Sequence, residues 1–139
     1  MRADRGVTNY YGVGGYRGPL SDARTSGLRF AGECLGFANV PDETSLAALV
    51  PGRPDEGYVN HPIWKAGVAR DPGAGWDFDD MRDFYLASLF KVDPWTIRRG
   101  DHDRYLELSR AVTGEIMAYV FGEWRRVGHP CAGGLILWL

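Results

Sequence analysis

Apolar residues along the chain fall into two contiguous runs and two periodic stretches. Leu28-Arg29-Phe30-Ala31-Gly32-Glu33-Cys34-Leu35 is mostly apolar and is bounded by Gly27 and Gly36, the pattern of a strand buried on both faces. Gly133 to Leu139 is a second run of that kind. Asp77 to Phe90 repeats apolar residues at Phe78, Met81, Tyr85 and Leu89, which predicts a helix. Asp77, Asp79 and Asp80 lie at its start, where the helix dipole favours acids. Asp101 to Arg126 predicts a longer helix with a stripe of Tyr105, Leu108, Val112, Ile116, Tyr119 and Val120. Gly128 and Pro130 mark its stop. Shorter helices are expected from Ser21 to Ser26, and from Pro41-Asp42-Glu43-Thr44 through Val50. Residues 1–27 are otherwise glycine-rich without a period, and 51–76 are rich in Pro and Gly, so both read as loop.

Two strands separated by helices make a parallel unit, and a parallel pair buried on both faces is not a complete sheet. The chain also stops on the apolar run Gly133-Gly134-Leu135-Ile136-Leu137-Trp138-Leu139, although termini usually fray into water. A chain of 139 residues is long enough for a core of its own. The strand pattern instead predicts part of a larger α/β domain.

Composition adds exclusions. The chain is 45% hydrophobic and 24% charged, which argues for a folded domain. Its net charge of -2 supplies no general attraction to nucleic acid or to an anionic membrane. No apolar run approaches the ~20 residues that span a bilayer. Met1-Arg2-Ala3-Asp4-Arg5-Gly6 lacks the apolar core of a signal peptide, so a cytoplasmic location is expected. Cys34 and Cys131 form no CxxC pair, and His61, His102 and His129 have no metal-ligand spacing. Asp77, Asp79 and Asp80 lack the spacing of a calcium loop. Gly12-Val13-Gly14-Gly15 lacks the preceding strand and the following Lys of a phosphate cradle.

Glu33 is the exception in its strand. A carboxylate near the end of an apolar strand costs free energy unless it is hydrogen-bonded, paired or solvated. The pattern leaves open a plain strand-end acid and a reactive one. Trp64 and Trp76 in the long loop leave a similar pair of readings, simple packing or ligand contact.

Several segments carry a family resemblance. Tyr10-Tyr11-Gly12-Val13, then Leu28-Arg29-Phe30-Ala31-Gly32-Glu33, then Gly36-Phe37 and Pro41, resembles the nucleophile segment of glycoside hydrolase family 2, in its β-mannosidase branch. Tyr105 through Arg126 is similar to that branch's last barrel helix, which closes on an Arg-Arg pair. Gly133 to Leu139 is similar to its eighth barrel strand. The sequence departs from the family at Asn9-Tyr10-Tyr11, where a His-aromatic-Trp sequence is usual, and at Gly32, where Ser is usual. The stretch 42–76 is the least matched.

The resemblance implies the C-terminal portion of a (β/α)8 barrel, a fold of about 250 residues. In that reading 1–139 is a partial catalytic domain, mostly helical with two parallel strands near 28–35 and 133–139. Glu33 is the implied nucleophile of a retaining glycosidase acting on β-glycosides, with β-mannosides the first expectation. Asn9, Tyr10 and Tyr11 are the implied substrate-binding residues. The implied partners are a carbohydrate substrate and the remainder of the barrel, and the mechanism needs no cofactor. Retention requires a second carboxyl about 5–5.5 Å from the first. The family carries it in an Asn-Glu pair, which this sequence lacks, so the chain alone is expected to be inactive. Two other readings compete. One is a sugar-binding module using Trp64, Trp76, Tyr10 and Tyr11, and the other is an unrelated small α+β interaction protein.

Overall fold

A computed structural model describes residues 4–52 and 57–136. The chain is mixed α/β, about half helical, with one parallel three-stranded sheet. Contacts divide it into two units, one built from the segments up to Phe37 and from Thr113 onward, the other from Ala38 to Val112.

The first unit holds the sheet. Its strands are β1 (Thr8–Tyr10), β2 (Ala31–Cys34) and β3 (Gly134–Ile136), in the order β1-β2-β3, all parallel. The parallel relation of the two expected strands holds, but a third strand joins them. β1 falls in the segment expected to be loop. It is too short for an alternating pattern to register, and it exists because Thr8 and Asn9 find partners in Ala31 and Glu33. β2 is shorter than the apolar run 28–35. Leu28 is buried, yet it belongs to the chain approaching the strand. Residues 137–139 of the expected last strand lie outside the described residues.

Two helices accompany the sheet. α1 (Asp22–Thr25) fits the short helix expected there. α6 (His102–Trp124) matches the long predicted helix, and its portion from Thr113 on belongs to this unit. Ile116, Val120 and Trp124 form its buried stripe, with Tyr10, Val13, Ala31 and Cys34 also in the core. Tyr119 was expected in that stripe but is 36% exposed. Trp124 is buried instead and meets the Tyr10 ring edge-on at 5.3 Å. Gly134 must be small, because a Cβ there would lie 2.9 Å from Ala31 Cβ and 3.2 Å from Trp124.

The second unit is helical: α2 (Glu43–Leu49), a 3-10 turn Tyr58–Asn60, α3 (Pro62–Gly67), α4 (Phe78–Phe90), α5 (Pro94–Gly100) and the start of α6. α2 begins at the expected Pro-Asp signal, with the Asp42 side chain accepting from Ser45 N at 2.8 Å. α4 has a capping box in which Asp77 and Asp80 each accept from the other's backbone N–H. Two helices were missed in the sequence. α3 interrupts the expected 51–76 loop, capped by His61 Nδ1, an acceptor outside the usual capping set. α5 starts at Asp93-Pro94, which reads as a helix breaker but serves equally as cap and first residue of the next helix.

The interior of this unit is charged. Arg82 is fully buried, and its guanidinium donates to Asp79 Oδ1 at 2.8 Å, the Ala38 carbonyl at 2.7 Å and Tyr105 Oη at 2.5 Å. Tyr105 donates in turn to Asp83 at 2.7 Å. Asp79 also accepts from Lys65 Nζ at 2.8 Å and from Trp64 Nε1 at 3.0 Å. Burial works against the Arg82 charge, but Tyr105, Asp79 and Asp83 outweigh it and raise the pKa above its ordinary value. Burial raises Asp83, only partly offset by Arg82, and pushes Tyr105 up to about 12. The acidic cluster of α4 is thus spent on a helix cap and buried ion pairs. Among the described residues no helix is long and apolar enough to cross a membrane.

Candidate active site

The ends of β1 and β2 bring together residues far apart in sequence. Asn9 pairs in register with Glu33, and an irregularity between Thr8 and Asn9 shifts the pairing there. Glu33 is the penultimate residue of β2, at the C-terminal end of a parallel sheet, where α/β proteins place their chemistry. Asn9 Nδ2 donates to Glu33 Oε2 at 3.2 Å. The Tyr11 hydroxyl donates to the same oxygen. Both donors are neutral, and Glu33 is half-buried rather than enclosed.

Of the expected site residues, the structure therefore joins Asn9, Tyr11 and Glu33. Tyr10 is placed elsewhere. Successive strand residues point to opposite faces. Tyr10 is accordingly buried against Trp124, with its hydroxyl donating to Asp22 Oδ2 at 2.7 Å. Trp64 is also committed, buried with its indole N–H on Asp79. Trp76 is half-buried.

Local backbone geometry explains why Tyr11 reaches Glu33. After β1 the chain folds back through a compact turn, with Tyr16 N donating to Tyr11 O at 2.9 Å, Arg17 N to Gly14 O at 3.0 Å and Gly18 N to Gly12 O at 2.6 Å. Gly14 has φ 97°, a conformation open to glycine, and a Cβ there would sit 3.2–3.3 Å from the Leu35–Gly36 backbone. The turn thus lies flat on the chain leaving β2. Leu35 itself is buried with φ 57°, a left-handed conformation costing a non-glycine residue about 1–2 kcal/mol. Strain of this kind persists where the surroundings over-determine the backbone, and here it lies two residues past Glu33.

Gly32 has its own reason to be small. A Cβ there would approach Val7 Cγ1 to 2.6 Å and Asn9 Oδ1 to 3.4 Å. The Val7 side chain on the neighbouring segment therefore requires glycine at 32. Spacing along the sequence gave no sign of this link, because it depends on strand register.

The two thiols play a structural part. Cys34 is buried, and its Sγ donates to Leu135 O at 3.3 Å. Burial pushes the Cys34 thiol up to about 12, so it is a poor nucleophile. Among the described residues no group of three or more His, Cys, Asp or Glu is arranged to hold a metal ion. Tyr16 belongs to no motif or periodic pattern in the sequence. Its ring stands edge-on to Tyr11 with centroids 6.0 Å apart, and it is 62% exposed. Comparison with protein-family models, with characterised proteins and with solved structures finds no match to this chain.

Proposed function

We propose that this chain forms the C-terminal part of the catalytic barrel of a retaining β-glycoside hydrolase, with Glu33 as its nucleophile. The observation that carries this reading is the convergence of Asn9 and Tyr11 on one oxygen of Glu33 at the C-terminal end of β2. Two neutral donors on Oε2 fix the carboxylate, and Oε1 is the oxygen this reading assigns to attack. In the reaction Oε1 forms a bond to the anomeric carbon as the bond to the leaving oxygen breaks. A second carboxyl protonates that oxygen, then takes a proton from the water that releases the sugar. The remainder of the barrel supplies that second carboxyl.

The sheet lends further support. Among the described residues β1 and β3 are both edge strands, and Val7 just before β1 and Leu135 within β3 are 62% and 60% exposed. Barrel closure leaves no such edges. The substrate class is a β-glycoside, with β-mannosides the first to try, and no cofactor enters the steps.

A 2-deoxy-2-fluoro β-glycoside traps a covalent glycosyl-enzyme and tests the assignment. With the intact polypeptide encoded by the gene, the mass added by the label is expected on the peptide containing Glu33, and Glu33→Gln is expected to abolish both labelling and turnover. Label on another residue, or turnover unchanged in Glu33→Gln, sinks the nucleophile assignment. The 139-residue chain by itself is expected to be inactive, and robust hydrolysis by it refutes the partial-barrel reading.

A further inference from the structure

We infer that Tyr16 is the stacking platform of a second sugar subsite next to Glu33, an inference that rests on the glycosidase reading above. Three observations point to it. The Tyr16 ring is 62% exposed, although it belongs to a turn whose glycines Gly14 and Gly15 are buried. Its backbone is also held in place. Its backbone N–H is bonded to Tyr11 O, the two following residues are bonded back to Gly14 and Gly12, and Arg17 is fixed in the left-handed region at φ 56°. Finally, its ring lies edge-on to Tyr11 at 6.0 Å and 84°, and Tyr11 is hydrogen-bonded to the proposed nucleophile.

An exposed aromatic on a mobile loop needs no explanation. One whose backbone is tied down beside a carboxylate site is different, because less ordering entropy is lost when it binds. Sugar rings present a flat array of C–H groups on one face, and an aromatic face is their natural partner. A sugar whose anomeric carbon faces Glu33 would stand beside Tyr11. The Tyr16 ring, one aromatic ring further out, is then within reach of the next sugar of the chain. Its hydroxyl does not enter this role, so the ring and not the phenol is what counts.

The test compares two substrates in the intact polypeptide, a methyl β-glycoside and the disaccharide of the same sugar. Tyr16→Ala is expected to raise KM for the disaccharide about 10-fold, the worth of ~1.4 kcal/mol, and to leave the methyl glycoside within about 2-fold. Tyr16→Phe is expected to behave as wild type on both. Equal losses on the two substrates, or no loss on either, overturn the subsite while Glu33→Gln still abolishes turnover. Absence of hydrolysis, or hydrolysis that survives Glu33→Gln, overturns the glycosidase reading and the Tyr16 assignment with it. A melting temperature lowered in Tyr16→Ala without the substrate difference assigns Tyr16 to packing and also overturns the inference.

Discussion

Glu33 and Asp79 are both carboxylates held by more than one side chain, and the difference in how they are held separates the two units. Asp79 is buried and faces cations, Arg82 at 2.8 Å and Lys65 at 2.8 Å. Its charge is cancelled inside the protein, and its oxygens are occupied. Glu33 is half-buried at a strand end and is gripped by two neutral donors on one oxygen. A carboxylate cancelled by buried cations is part of the architecture. Glu33 is oriented by neutral donors and meets no cation among the described residues, which is the arrangement the proposed function builds on.

The sharpest way to break this comparison is to remove one charge in each region and measure stability. Arg82→Met removes the buried cation shared by Asp79 and Asp83, leaving them Lys65 and Arg98 as partners, and is expected to cost about 3–5 kcal/mol in urea unfolding, since breaking a buried ion pair by removing one partner is expensive. Glu33→Gln keeps the shape of the side chain and is expected to change stability by under ~1 kcal/mol while removing turnover. Comparable losses in the two variants would erase the distinction between the regions.

A smaller effect sharpens the site. Tyr11→Phe removes one charge-assisted hydrogen bond, which is worth about 1.5–3 kcal/mol. It is expected to lower kcat roughly 10- to 100-fold with little change in melting temperature. A lowered melting temperature with unchanged kcat would reassign Tyr11 to packing.

The smallest effect lies in acid. In the sheet-bearing unit, Glu123 accepts from Arg24 at 2.9 Å and from Arg126 at 3.1 Å. The Arg24 hydrogen bonds, followed by those of Arg126, hold its carboxyl down to about 2 from an ordinary 4.5. A depressed carboxylate contributes stability that is fully present above its unfolded value and is lost as pH falls through the folded one. The contribution of this pair should therefore disappear between about pH 4.5 and pH 2. Glu123→Gln is expected to flatten that part of the stability-versus-pH curve, and an identical acid limb in the variant would show that the pair contributes nothing.

How much of this was legible beforehand follows from the range of each signal. α4 and α6 were readable because an apolar stripe repeated over several turns survives local exceptions. Glu33 stood out because a carboxylate in an apolar strand breaks its own local pattern. α3 and α5 were not readable, since each is short and opens with Pro, a residue that ends and begins helices equally well. β1 was not readable because three residues carry no period. Tyr10 and Tyr11 are adjacent and identical in type, and no local rule says which of them faces Glu33.

The sequence by itself determined the two main helices, the polarity of their ends, the apolar strand around Glu33 and the mixed α/β class. Those features depend on neighbours within a few residues, where spacing and chemistry can be read directly. Tertiary structure alone decided that β1 is a strand and that its register sets Asn9 opposite Glu33. It also sent Tyr10 into the core and Tyr11 to the carboxylate, and turned the acids of α4 into an ion network. Each of these depends on which distant residue the backbone brings alongside, and a one-residue change of register would exchange the faces of the strand.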